Sequence, residues 1–293
     1  MTAIVMDGRA LAREIEERMK LEAGVLKDAG VEPTLATILV GDDPASAVYV
    51  SMKHRAARRV GIVSQSHTLP ASATTEEVSS LIQRLNSDPK VDGILLQLPL
   101  PPQIDEREMI ERISPEKDVD GLTSANSGKL FYGNSGLVPC TPRGVMELLH
   151  KYAIKVASSN VVVINRSALV GMPLYHLFLA EDATVTNCHS KSRDLKTLTI
   201  GADILVTAVG RRPDFVVTSD MVKAGAVVID VAMNRVGEKL VGDVDFEEVS
   251  KKASYITPVP GGVGPMTVTM LLRNTLRAAS GRSRPVLVEA APS

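Results

Sequence analysis

Tyr49 and Lys53 stand four residues apart in GDDPASAVYVSMKH, so on a helix they share one face. A lysine beside a tyrosine is by default a solvated pair. Two features set this pair apart. Tyrosine is scarce, five in 293 residues, and the segment follows a strand whose carboxyl end is where an α/β protein keeps its ligands. Gln97 ends the apolar run VDGILLQL just before Leu98-Pro99. A polar group there either bonds the backbone or serves a site, because burial without a partner is costly. Asp118 and Asp120, in PEKDVDG, open a turn-rich stretch. One of them suits turn formation and the other is left to hold a ligand.

The elements that must position these groups alternate. Residues 9–26 read as an amphipathic helix through Leu11, Ile15 and Met19, and TLATILV (34–40) as a strand. A helix follows from Pro44 to Arg59, opened by Asp42-Asp43-Pro44 as N-cap and first-turn proline. Then come a strand at 62–69, a helix from Thr75 to Leu85, and a strand at 91–98 that is apolar enough to be covered on both faces. Gly121 to Pro142, rich in Pro, Gly, Ser and Asn, is expected to separate two halves. The second half repeats the pattern, with strands expected at 161–164, 184–186, 204–208, 227–231 and 255–257. Such alternation predicts parallel sheets built from βαβ units. The last helix, about 265–279, is apolar at its start and is expected to return to the first half.

The first turn of the second half, VVVINRSALVGMP, runs from a β-branched strand through Asn165-Arg166-Ser167 to Gly171 and Pro173. It lacks G-x-G-x-x-G, but strand, turn and helix start in the order that offers backbone N–H groups to phosphate. The next strand ends in Cys188-His189-Ser190-Lys191-Ser192-Arg193, with no carboxylate before Asp194. An acidic residue there suits the ribose hydroxyl of NAD, whereas basic and hydroxyl groups with Arg166 nearby suit NADP. NADP is the expected cofactor.

Charge excludes other classes. With 33 basic and 34 acidic residues the net charge is −1, which gives no field for nucleic acid or an anionic membrane. The cluster Lys53-His54-Arg55 with Arg58-Arg59 reads as a solvated helix face or a local anion site. No run reaches the roughly 18 apolar residues of a membrane span. Cys140 and Cys188 read as buried free thiols in a reducing compartment, so a cytoplasmic location is expected. No His, Cys, Asp and Glu set has metal-ligand spacing. His67 and His189 are weak candidates for acid–base work.

GDDPASAVYVSMKH, DGILLQLPLP, PEKDVDGL, PCTPRGV, ATVTNCHS and TPVPGGVGPMT occur in this order. Together they resemble the bifunctional methylenetetrahydrofolate dehydrogenase/cyclohydrolase family, over about Asp7 to Ser280. The likeness implies two α/β domains. One is an N-terminal βαβ catalytic domain (1–140 with the returning helix 264–285), the other a Rossmann-like NADP-binding domain (141–263). It implies oxidation of 5,10-methylenetetrahydrofolate to the methenyl cation, then hydrolysis to 10-formyltetrahydrofolate, in a homodimer. By the same likeness Lys53 matches the essential lysine, Tyr49 the aromatic neighbour, Gln97 the glutamine that tunes the lysine and Asp120 the pterin-holding carboxylate. Leu98, Pro99, Pro260, Gly261 and Gly262 fall on the folate side, and Thr141, Asn165, Arg166, Ser167, Ser190 and Met233 on the cofactor side.

The chemistry agrees with those roles. Hydride transfer needs orientation more than acid–base help. Hydrolysis needs proton movement, for which a lysine near its usual value of about 10.4 is a poor base until its surroundings change that. Two departures from the family pattern bear on the cofactor half. Asn165 and Ala232 stand where the family carries glycine, which leaves open a cyclohydrolase with weakened or lost dehydrogenase activity. A non-catalytic folate- or nucleotide-binding module is the remaining rival, disfavoured by a lysine in that setting.

Overall fold

The computed structural model describes residues 2–133 and 136–282. Its elements in chain order are β1 (Ile4–Val5), α1 (Gly8–Asp28), β2 (Thr34–Val40), α2 (Pro44–Val60), β3 (Val63–Leu69), α3 (Thr75–Ser87), β4 (Gly93–Leu96), α4 (Glu106–Glu111) and α5 (Ser124–Phe131). They continue with α6 (Cys140–Lys151), β5 (Asn160–Ile164), α7 (Gly171–Ala180), β6 (Thr184–Cys188), α8 (Leu195–Thr199), β7 (Ile204–Thr207) and β8 (Val227–Asp230). Last are β9 (Asn234–Val236), β10 (Lys239–Val241), α9 (Phe246–Ser250), β11 (Tyr255–Ile256) and α10 (Val263–Arg282). Two compact units result. One comprises Glu16–Val119 with the α10 residues from Leu272; the other comprises the chain up to Ile15 with Asp120–Leu271.

The first unit holds a parallel sheet in the order β3-β2-β4. β2 is central and buried at all seven positions, which is why its sequence is a continuous apolar run. Asp43 caps α2 by accepting from the Ser46 amide at 2.7 Å, and Pro44 occupies the first turn, where a missing N–H costs nothing. Gly61, left-handed at φ 85°, ends the helix and turns the chain into β3. The end of α10 belongs to this unit, as expected of the returning helix: Asn274 Nδ2 donates to the Val119 carbonyl at 2.8 Å.

The second unit is a six-stranded sheet in the order β1-β11-β8-β7-β5-β6, parallel throughout. Its reversal of strand order falls beside β5, between β6 and β7, the place where open α/β sheets take ligands. β1 pairs Ile4 with Tyr255 and Val5 with Ile256, so the first residues of the chain complete this sheet. Two residues are too few to show a strand period, and sequence reading assigned nothing there.

Most expected strands fall within a residue or two of their observed bounds. The strand expected at 91–98 is regular over Gly93–Leu96; before it the Asp92 carboxylate accepts from the Thr34 amide at 2.9 Å, and Pro99 follows soon after it. The expected separator, Gly121 to Pro142, begins next to the division between the two units at Val119 and Asp120. It contains α5, capped by Thr123 Oγ1, with Thr123 and Asn126 each 1% exposed. The sequence after Ser280, GRSRPVLVEAAPS, suggests a poorly ordered end, and from residue 283 onward it lies outside the described residues.

Candidate active site

Lys53 lies one turn after Tyr49 on α2 and is half-buried, while Tyr49 is 38% exposed. Lys53 Nζ donates to Gln97 Oε1 at 2.9 Å. The Gln97 amide cannot turn freely, since its Nε2 donates to the Leu98 carbonyl at 2.7 Å. Its backbone is held as well, with the N–H on the Ile38 carbonyl at 2.9 Å. Gln97 therefore does both things a buried polar group at a strand end can do: it bonds the backbone and serves a site. The acceptor facing Lys53 is neutral, so the amine is fixed in place without an opposing charge. Leu98 is half-buried and Pro99 exposed, continuing the same strand end.

Sequence reading missed His54. In the sequence it belongs to a cationic cluster that reads as a solvated helix face or a local anion site, and the structure splits that cluster. Arg55 and Arg58 are exposed, and Arg59 pairs with Glu16 at 2.9 Å. His54 instead turns toward the sheet. Its Nε2 meets Thr37 Oγ1 on β2 at 2.9 Å, and its Nδ1 meets Ser64 Oγ on β3. Thr37 also donates to the Gln65 carbonyl at 3.3 Å, which makes Nε2–H the donor and leaves Nδ1 to accept from Ser64. Burial, and then the charge of Arg58, hold the imidazole below its usual range, in keeping with that neutral form. His54 thus braces α2 against two strands one residue beyond Lys53. A signal existed: Val50, His54 and Ala57 follow an i, i+4, i+7 stripe, and Val50 and Ala57 are buried.

Asp120, Pro260, Gly261 and Gly262 belong to the second unit. Asp120 is half-buried beside Gly121, whose φ of 72° and contact with the Leu137–Pro139 backbone admit no side chain. Asp118 is 1% exposed and forms an isolated bridge with Ile94, so of the two aspartates it is the structural one. Gly261 and Gly262 shape a tight loop. The Gly262 amide donates to the Pro258 carbonyl at 2.8 Å, and a Cβ on Gly262 would lie 2.7 Å from that oxygen.

Of the expected cofactor-side residues, Asn165, Arg166, Ser167 and Ser190 lie just past the carboxyl ends of β5 and β6, whereas Thr141 is on α6 and Met233 follows β8. Ile164 pairs with Cys188, so Arg166 and Ser190, each two residues further on, leave the sheet at the same edge. Arg166, Ser190, Lys191 and Arg193 are exposed. Asp194 is committed elsewhere, accepting from Thr197 Oγ1 at 2.6 Å as α8 begins. This basic and hydroxylic edge, free of a committed carboxylate partner for a ribose, fits a phosphate-bearing dinucleotide. At the turn itself, Asn165 Oδ1 accepts from the Ser167 and Gly171 amides at 2.7 and 3.0 Å, and Asn165 Nδ2 donates to the Ala208 carbonyl at 2.6 Å. Thr141 Oγ1 meets Thr267 Oγ1 at 2.9 Å where α6 packs on α10. Ala232 is buried, its amide held by Asp230 Oδ1 at 3.1 Å, and Met233 is 42% exposed. His189 serves its own turn by accepting from the Lys191 amide. Both cysteines are buried and form no disulfide, and among the described residues no cluster of three or more His, Cys, Asp or Glu could hold a metal.

A parallel sheet with a phosphate-suited edge at its switch point, on one chain with a glutamine-anchored lysine at another strand end, defines a dinucleotide-dependent α/β enzyme. Residues 6–120 match the catalytic domain, and residues 139–283 the NAD(P)-binding domain, of tetrahydrofolate dehydrogenase/cyclohydrolase. The "Bifunctional protein FolD" of Nitrosopumilus maritimus is 54% identical over 280 residues, covering 96% of this chain and 98% of that protein. The crystal structure of bifunctional FolD from Campylobacter jejuni superposes with a TM-score of 0.93 at 48% identity, covering 96% and 99% of the two chains. That of the Trypanosoma brucei dehydrogenase-cyclohydrolase, complexed with NADP cofactor and inhibitor, gives 0.93 at 39% identity, covering 97% and 100%. The chain belongs to the tetrahydrofolate dehydrogenase/cyclohydrolase family.

Proposed function

We propose that this chain oxidises 5,10-methylenetetrahydrofolate to the methenyl cation with NADP and hydrolyses that cation to 10-formyltetrahydrofolate, with Lys53 as the group that serves hydrolysis. The carrying observation is the Lys53–Gln97 pair at 2.9 Å, with Gln97 itself fixed by Leu98. An amine held by a neutral acceptor keeps its remaining positions for a ligand and for the water that attacks the cationic carbon. Proton transfer by a positioned group of this kind is worth about 10²- to 10⁴-fold. Tyr49 offers a ring on the same helix face. Leu98, Pro99, Asp120, Pro260, Gly261 and Gly262 complete the proposed folate side; Thr141, Arg166, Ser167, Ser190 and Met233, with the Asn165 turn, make up the cofactor side. When bound, NADP supplies the acceptor for the hydride that leaves the methylene carbon.

The division by function runs 1–140 with 264–285 for folate and 141–263 for NADP. It cuts the chain differently from its compactness, because β1 completes the second sheet. The reading extends to a cytoplasmic homodimer whose formyl product serves purine biosynthesis. Two buried cysteines that form no disulfide support the reducing compartment, and family likeness supports the dimer. No helix among the described residues is long and apolar enough to cross a membrane.

The test is one pair of assays on Lys53→Met. Hydrolysis of methenyltetrahydrofolate, measured above the uncatalysed background, is expected to fall by about 100-fold or more. Formation of NADPH from methylenetetrahydrofolate should fall less, through folate positioning. Wild-type hydrolysis in the variant would remove Lys53 from that role. Comparable efficiency with NAD and NADP would overturn the cofactor assignment.

A further inference from the structure

The turn between β5 and α7 should offer backbone amides to a dinucleotide's phosphates, because it lies at the switch point and opens a helix. Here those amides are already engaged. Ser167 N–H and Gly171 N–H both donate to Asn165 Oδ1, at 2.7 and 3.0 Å. Val170 N–H donates to Ser167 Oγ at 3.1 Å, and Met172 N–H to the Ser167 carbonyl at 3.0 Å. The other end of the Asn165 side chain crosses to the neighbouring strand's exit, where Nδ2 donates to the Ala208 carbonyl at 2.6 Å. β5 and β7 are the two strands that flank the crevice, so this one carboxamide spans it.

The surroundings keep that carboxamide where it is. Asn187, on β6, donates through Nδ2 to the Asn165 carbonyl at 2.9 Å and to the Gly171 carbonyl at 3.1 Å. Since Nδ2 must face two carbonyls, its orientation is set by the network, and its Oδ1 is buried without a hydrogen-bond partner among the described residues. Gly171 lies so close that a Cβ would be 2.1 Å from the Asn165 carbonyl oxygen. The helix start is pressed onto the asparagine.

We propose that Asn165 is an internal latch on the dinucleotide crevice. Its carboxamide oxygen stands in for a phosphate oxygen, and the cofactor's phosphates must compete with it for the Ser167 and Gly171 amides. Cofactor affinity in this chain is set by that competition, and Asn165 acts as an affinity-determining residue through those amides. A neutral amide oxygen is a weaker acceptor than a charged phosphate oxygen, so the latch yields to the ligand at a cost rather than excluding it.

The inference rests on the reading of this crevice as the NADP site, and the experiment separates the two. NADP binding is measured by titration calorimetry, without folate, for wild type, Asn165→Gly and Asn165→Ala, with amide hydrogen exchange followed at Ser167 and Gly171. Removing the latch is expected to tighten NADP binding about tenfold in Asn165→Gly, since the phosphates no longer have to displace the carboxamide's two hydrogen bonds, whose net worth corresponds to about that factor. Asn165→Ala, which keeps a Cβ and a stiffer turn, should shift the same way by less and decides the matter if the glycine variant is poorly folded. In wild type both amides should be protected before NADP is added; in the variants they should exchange quickly until NADP protects them. Equal or weaker binding in both variants overturns the latch, because an asparagine that merely scaffolds the site would lose affinity when removed. Absence of NADP binding in all three proteins sinks the reading of the crevice instead.

Discussion

The Lys53 face and the β5–α7 turn both lie at carboxyl ends of parallel strands, yet they present different kinds of group. At the first, the groups on offer are side chains: Lys53 from α2, Gln97 from the end of β4, and His54 as a brace to β2 and β3. At the second, backbone amides are the natural ligands, and a side chain decides whether they are available. The difference explains why chemistry can be read from residue types at one end of the molecule and not at the other. A lysine and a glutamine carry their function in their identity. An amide is present in nearly every residue, and only its partner in space gives it a role.

Gly171→Ala strikes the backbone-based site hardest. Its Cβ would meet the Asn165 carbonyl oxygen at 2.1 Å, so the turn must move. The expected loss is upwards of about 3 kcal/mol, together with a raised KM for NADP. Thermal unfolding and NADP titration check both, and an unchanged unfolding temperature would show that the turn is not tightly packed. Because the affected turn is in the second unit, methenyl hydrolysis per folded molecule should change far less.

A second effect separates the two regions by pH. Burial, aided by the charge of Asp243 and opposed by the amides of Val244 and Ala232, raises the Asp230 carboxyl from 3.8 to about 6. The folded protein therefore holds a proton there that the unfolded chain has already lost. Stability should fall as pH rises from about 4 to about 6 and be level above that, by up to about 3 kcal/mol at about 1.4 kcal/mol per unit. Denaturant unfolding across this window, compared with Asp230→Asn, isolates the contribution. The same slope in the variant would assign it to other groups.

The smallest expected effect tests the brace. His54→Leu removes the links to Thr37 and Ser64 while filling the space, at a cost of about 1–2 kcal/mol. If the brace positions the neighbouring lysine, hydrolysis should lose kcat with little change in KM, and His54→Gln should restore part of it. Full activity in His54→Leu would confine His54 to packing.

Legibility followed the same division. α2 with its Asp43-Pro44 start, and β2 as a buried central strand, were visible because each signal is local: a cap, a proline, an unbroken apolar run. Lys53 and Gln97 were visible as candidates, and their contact was implied by family likeness and then found at 2.9 Å. β1 was invisible, since a two-residue strand exists only through its partner β11. The stretch around α5 has the composition of turns, which hides the helix and the burial of Thr123 and Asn126. His54 carried a cation's reputation into a sheet-facing position that a helical stripe alone could have suggested.

By itself, the sequence determined the alternating α/β architecture, the shared face of Tyr49 and Lys53, and the phosphate-suited end of β6, because periodicity, caps and side-chain chemistry are written in neighbouring residues. Tertiary structure alone decided what Asn165 does. In the sequence it is one residue in place of a glycine; in the fold its carboxamide reaches two amides and a carbonyl just past the end of β7. Hydrogen bonds between distant segments depend on the approach of backbones, and that approach is fixed only when the sheet closes.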